Sequence, residues 1–332
     1  MATYKGIQGY SVQKLSDDPT ASEAAGQLWY NSSAGKFKIA TAGAGAWSSG
    51  TNQNSAVAHR GTCGILTAAL AMGGVPYTAN AETYDGTTWT EVNNLTTARA
   101  YAGATGPSTA ALAFGGYNSD PGSVRDQTEK YDGTSWTEVN NLLTARNSAF
   151  SVGATNTAAV CAGGTDLPGT PYAISETWDG TSWTETNNIN TARQLGGSAA
   201  GTSIAGLIFG GYSTARVAVT ESYDGTCWAE VNDLNTARNE PGGGGTLTSA
   251  LCFGGREPGP APTARTDITE SYDGTSWTEV ADLATIRGCW MSTGASNASA
   301  LAIGGYGAPG AITQVTEEWD ATTKTIKTVT VS

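Results

Sequence analysis

Short apolar runs alternate with polar turn clusters along most of the chain, and the alternation itself recurs. In one copy, an apolar run from Ala158 enters the glycine doublet Gly163-Gly164, and a loop of variable length follows. Ser175-Glu176-Thr177-Trp178 then alternates polar and large apolar positions, an Asp-Gly turn intervenes, and Trp183-Thr184-Glu185 resumes the alternation. Period-two segments bounded by turn formers predict β-strands. No stretch sustains an apolar period of about 3.6 residues, so helices longer than a turn are not expected.

The copies keep a fixed beat. Tyr84-Asp85-Gly86-Thr87-Thr88-Trp89 returns at Tyr131, Trp178, Tyr223 and Tyr272, and a degraded copy begins at Trp319-Asp320. The aspartates at 85, 132, 179, 224, 273 and 320 stand 47, 47, 45, 49 and 47 residues apart. Glycine doublets begin at 73, 115, 163, 210, 254 and 304, and Arg99, Arg146, Arg193, Arg238 and Arg287 each lie ten residues after a repeat tryptophan. Arg60 heads that series of arginines. Each unit reads as four strands, and the Asp-Gly step between strand-forming aromatics is a hairpin signal because glycine accepts positive φ. Four short strands every 40 to 50 residues predict an all-β, six-bladed β-propeller of four antiparallel strands per blade. The doublets suit crowded backbone near the centre. The tryptophans suit the space between blades, each contributing about 4–6 kcal/mol before entropy is subtracted.

Gly doublet, spaced Tyr and Trp, and Arg ahead of the next blade closely resemble the kelch repeat over residues 60–320. The Tyr-to-Trp interval of five is shorter than the usual kelch interval, implying a tight outer hairpin. The Asp-to-Trp distance is one residue short of a sialidase Asp-box. The expected division is 1–59, an N-terminal segment with a small β-hairpin, and 60–332, the propeller. Its blades fall at about 60–99, 100–146, 147–193, 194–238, 239–287 and 288–332. The last blade is expected to take its outer strand from 325–331, because Trp47 lies 13 residues before Arg60 rather than ten.

Charge narrows the functional classes. Only 14% of residues are charged and the formal net charge is −12, so a nucleic-acid backbone would repel the chain. No apolar run reaches membrane-spanning length, and the first residues lack the apolar core of a secretory signal. Neither nucleic acid nor membrane insertion is therefore expected. The five cysteines have no CxxC spacing and are expected to be small buried residues. Two sets of glutamates keep the repeat: Glu82, Glu129, Glu176, Glu221, Glu270 and Glu317 before the aromatic, and Glu91, Glu138, Glu185, Glu230 and Glu279 after the Trp. Both are expected on outer strands, as edge protection and solubility. The repeat arginines are expected to tie the connections between blades to backbone carbonyls or neighbouring carboxylates. With one histidine, His59, no triad or copper-oxidase ligand set is readable, so no catalytic, cofactor or metal residues are assigned and no enzyme is expected.

Specificity is expected in the loops between second and third strands, which vary on a constant frame. The candidate partner-binding residues there are Tyr117, Asp120, Tyr172, Tyr212, Arg256 and Tyr306. Residues 1–59 hold four of the seven lysines. Their LWYN…GKFK…GAW pattern is similar to a small module of bacteriophage tail and fibre proteins. That resemblance implies virion docking through Trp29, Tyr30, Lys36, Phe37, Lys38 and Trp47, with other virion proteins as partners. The expectation is thus a virion component, part of a tail fibre or decoration, presenting the propeller to a host-surface glycan or protein. A homo-oligomer is compatible with it. A cellular kelch-type interaction module, or a glycan-active hydrolase, would use the same fold.

Overall fold

The structure, a computed structural model, describes residues 12–18, 28–42, 45–119, 122–166, 169–259, 265–289, 292–307, 310–321 and 324–328. The chain divides into two compact units, Ala46–Trp319 and a smaller one made of Met1–Gly45 with Asp320–Ser332.

The larger unit is a six-bladed β-propeller. Blade 1 contains Gly61–Ile65, Ala68–Met72, Ala81–Tyr84 and Trp89–Val92 in that order, and blades 2 to 5 repeat the same antiparallel meander. Burial follows position within the blade. The second strands are almost wholly buried, and in the fourth only the leading Trp is fully covered. The apolar cores lie between blades rather than within them. Leu112 and Phe114 of blade 2 meet Trp178 and Trp183 of blade 3, and Leu301 and Ile303 of blade 6 meet Tyr84 and Trp89 of blade 1. A blade is too thin to bury both faces alone, so the ring closes its own core.

Ring closure corrects the sequence expectation. Blade 6 comprises Ser292–Ser296, Ser299–Ile303, Thr316–Asp320 and, as its outer strand, Ala46–Ser49 from the N-terminal side. Lys324–Thr328, expected there, instead pairs antiparallel with Lys36–Ala42 in the smaller unit. The misleading 13-residue gap has a simple origin: the position ten after Trp47 is Val57, and Arg60 is displaced by three. Its longer reach still brings the guanidinium to Glu82 at 3.0 Å and to the Gly73 carbonyl at 3.1 Å, where the register arginines sit in the other blades.

The first glutamate set is also corrected. Glu82, Glu129, Glu176, Glu221, Glu270 and Glu317 are fully buried, each paired with the arginine of the preceding connection. Arg99, for example, meets Glu129 Oε1 at 2.6 Å and donates to the Gln127 carbonyl at 2.8 Å. The same carboxylate accepts the backbone N–H of Thr96 at 2.7 Å, as Glu82 accepts that of Asn54 at 2.9 Å. Buried charges survive only when paired and hydrogen-bonded in this way. The arginines thus hold the connections, as expected, while the second glutamate set lies exposed on the outer strands.

Two local devices complete each blade. Asp132 Oδ1 accepts the N–H groups of Thr134 and Ser135, both at 2.8 Å, and Gly133 takes φ 93°. In the doublets, Gly164 has φ 91°, and a Cβ there would stand 2.7 Å from the Asn147 carbonyl oxygen. Four cysteines are buried, but Cys227 lies exposed in a hairpin turn, contrary to expectation.

In the smaller unit Gln13–Leu15 runs parallel to Leu28–Asn31, which forms a hairpin with Lys36–Ala42. Asp18 gathers this unit: its carboxylate accepts Trp29 Nε1 at 3.1 Å and Asn31 Nδ2 at 2.7 Å, and pairs with Lys38 at 3.2 Å.

Candidate functional site at the loop face

The inner strands meet around the axis and leave a cavity of about 680 Å³, opening at the end of the first hairpin turns. Its walls are mostly glycines, alanines and short hydroxyl side chains. Several hydroxyls are already spent on neighbouring blades: Thr62 donates to the Ser292 carbonyl and Ser292 to the Gly243 carbonyl, both at 2.9 Å. The one charged side chain in the lining, Arg60, is held by Glu82.

The opposite end is chemically richer. Just before each inner strand, the connection places one residue beside the axis: His59, Tyr101, Ser148, Leu195, Glu240 and Cys289. Five hydrogen bonds join these positions in order. Tyr101 N donates to His59 O at 2.9 Å, Ser148 N to Tyr101 O at 3.1 Å, Leu195 N to Ser148 O at 3.1 Å, Glu240 N to Leu195 O at 2.7 Å, and Cys289 N to Glu240 O at 3.0 Å. The first five positions all adopt left-handed backbone, with φ between 54° and 61°, which costs a non-glycine residue energy that the surrounding bonds must offset. The frame is constant while the side chains differ.

A second layer builds on it. The residue following each glycine doublet bridges back to the connection, as in Ala100 with Tyr117, Gln194 with Tyr212 and Asn239 with Arg256. Gly288 likewise pairs with Tyr306. Four candidates, Tyr117, Tyr212, Arg256 and Tyr306, therefore occupy one repeat position in different blades. Across each loop a third residue faces them: Val124 opposite Tyr117, Arg216 opposite Tyr212, Arg265 opposite Arg256.

These layers bring together groups far apart in the chain. His59 stacks on Tyr101 with centroids 4.3 Å apart and lies 5.1 Å from the Tyr306 ring. The Arg265 guanidinium stands 5.7 Å over Tyr306, and Arg256 pairs with Glu240 at 3.1 Å. Tyr77 meets Tyr117 edge-on at 5.5 Å. Burial, reinforced by Arg256 and Arg265, pushes His59 down to about 3, so its imidazole is neutral. Tyr212 is exposed and stands apart from this group, and Tyr172, near Asp166, has its phenol raised by burial first and then by the Asp166 carboxylate. Asp120 lies outside the described residues.

His59, Tyr77, Tyr101 and Arg265 were not among the sequence candidates. Their signal is positional: Tyr101 lies two residues beyond Arg99, His59 two beyond the position ten after Trp47, and Arg265 faces the residue after its doublet across the loop. The docking candidates fare unevenly. Trp29 is buried and Lys38 ion-paired within the smaller unit, Tyr30 and Phe37 lie 5.2 Å apart there, and Lys36 is exposed. Trp47 belongs to the propeller: its ring lies against Phe253 and Trp319, and Nε1 donates to Thr269 Oγ1 at 3.0 Å. Among the described residues no cluster of three metal-ligating side chains occurs, and no helix is long and apolar enough to cross a membrane.

No family model and no curated protein matches the chain. Among solved structures, "Structure of YjhT" superposes with a TM-score of 0.69 at 13% identity, covering 81% of this chain and 96% of that one. At that identity the likeness speaks for the fold alone, and the fold it supports is the β-propeller.

Proposed function

We propose that the chain is a binding protein whose loop face recognises a ligand on a cell surface, a glycan or a protein, while the smaller unit attaches it to a larger assembly. The observation that carries this reading is the gathering of His59, Tyr101 and Tyr306, with Tyr77 and Tyr117 alongside, on one face of a rigid ring. Aromatic side chains with polar tips give large contact area at low entropic cost, and loops on a constant scaffold are where such surfaces form. The assembly proposed is a bacteriophage virion, on the strength of the tail-like pattern in the first 59 residues, with the role non-catalytic. Mass spectrometry of purified virions and binding of the labelled full chain to a panel of bacterial surfaces test it. Absence from particles removes the virion assignment; equal surface binding by wild type and a Tyr117→Ala/Tyr306→Ala variant removes the loop face.

A further inference from the structure

We propose that blade 5 and the end of the axis form a site for an oxyanion, a carboxylate or a sulfate or phosphate ester, gripped by Arg265 with Arg256 beside it. This rests on the reading of the loop face as a binding surface and assigns the chemistry it selects. Six of the ten arginines are consumed by the buried Arg–Glu pairs. The remaining four, Arg125, Arg216, Arg256 and Arg265, all lie in the loops between second and third strands.

Blade 5 is distinctive. Arg256 and Arg265 face each other directly across the loop as a bridge pair, an arrangement that is unfavourable for like charges. Glu240 forms an ion pair with Arg256. Arg265 has no such carboxylate: its Nε and Nη1 are buried and meet no acceptor among the described residues. Burial and Arg256 both hold its pKa below the ordinary arginine value. Two guanidinium groups thus share the one carboxylate, Glu240, that acts on both. A guanidinium offers parallel donors matched to a two-oxygen anion. The Tyr306 ring lies under the Arg265 guanidinium on one side, and neutral His59 meets the Tyr306 ring at a tilt. An oxyanion seated between the two facing guanidinium groups would relieve the repulsion between them.

Calorimetric titration of the full chain with glucuronate, glucose 6-sulfate and glucose 6-phosphate, with glucose as the neutral control, distinguishes the anion sources. At least one anionic probe should bind, and glucose should not. Binding should weaken several-fold between about 50 and about 500 mM NaCl. Arg265→Gln should lower affinity about tenfold or more, with Arg265→Lys, which keeps charge without the fork, in between. The wild-type salt dependence and Arg265→Lys serve if Arg265→Gln does not fold. Failure of every anionic probe at about 10 mM, the weak end of measurable affinity, overturns the proposal. So does unchanged affinity in a folded Arg265→Gln chain. Anion binding without attachment to any cell removes the cell-surface reading and leaves this site standing. Attachment that ignores both Arg265 and anionic competitors does the reverse.

Discussion

The indole of Trp47 meets the ring of Phe253 edge-on, with centroids 4.7 Å apart. The same relationship joins Trp183 to Phe114 at 4.9 Å and Trp277 to Phe209 at 5.0 Å. In each case the outer-strand Trp of one blade seats on the second strand of the blade before it. The start of the propeller thereby completes its last blade, and closure joins residues about 270 positions apart.

Trp47→Ala should cost about 3 kcal/mol or more, because it empties an inter-blade core and unlatches the ring. Removing residues 324–332 should leave the propeller transition within about 0.5 kcal/mol, since that strand belongs to the other sheet. Urea titrations followed by tryptophan fluorescence compare the two. A large loss in the truncated chain, with none in Trp47→Ala, would return closure to the C-terminus.

Breaking one buried ion pair should be costly. Glu176→Gln leaves Arg146 charged and buried and weakens the acceptor for the Leu143 and Thr144 N–H groups, so about 3–5 kcal/mol should be lost. The double variant Arg146→Met/Glu176→Leu should lose less than the sum of the single changes, because no charge is stranded. Denaturant midpoints of wild type, Arg146→Met, Glu176→Leu and the double variant measure the coupling, and strict additivity would contradict the pairing.

His59 is the only histidine, so its resonance reports one site. Its folded value of about 3 lies below the ordinary 6.5, so the unfolded chain takes up the proton first. Stability from burying the neutral ring is complete above about pH 6.5 and falls as pH drops toward 3. The C2 proton should keep its neutral shift at pH 5, a value inside that window. His59→Asn should flatten the dependence of stability on pH across it. A resonance titrating at the ordinary value would place the ring in solvent.

The Asp-Gly turns make a second pH window. Backbone N–H groups of the turn hold the carboxyls of Asp85, Asp132, Asp179, Asp224 and Asp273 below the ordinary 3.8. Their contribution is present above 3.8 and is lost as pH falls through the lower folded values. A chain with all five changed to Asn should show a shallower acid limb in urea midpoints than wild type. An identical limb would assign acid sensitivity elsewhere.

The blade count and the inter-blade role of the tryptophans were legible because they depend on local patterns repeated six times. Closure had a readable mark that the arginine spacing obscured. Asn93, Asn140, Asn187 and Asn232, each four residues after a Trp, donate to a turn carbonyl of the next blade at 2.7–3.0 Å. Ala281 breaks that series where the next blade has no such turn, its last two strands coming from opposite ends of the chain. The glutamates misled because alternation places a side chain on a face without saying whether another blade covers it.

By itself the sequence determined the repeat, the four-stranded unit and the number of units, since hydrophobic alternation and turn chemistry act over a few residues. The tertiary structure alone decided which terminus closes the ring, which glutamates are buried against arginine, and which side chains meet at the axis. Those are relations between segments tens to hundreds of residues apart. His59, Tyr101 and Tyr306 become neighbours only when the closed ring brings two connections and one loop to the same point.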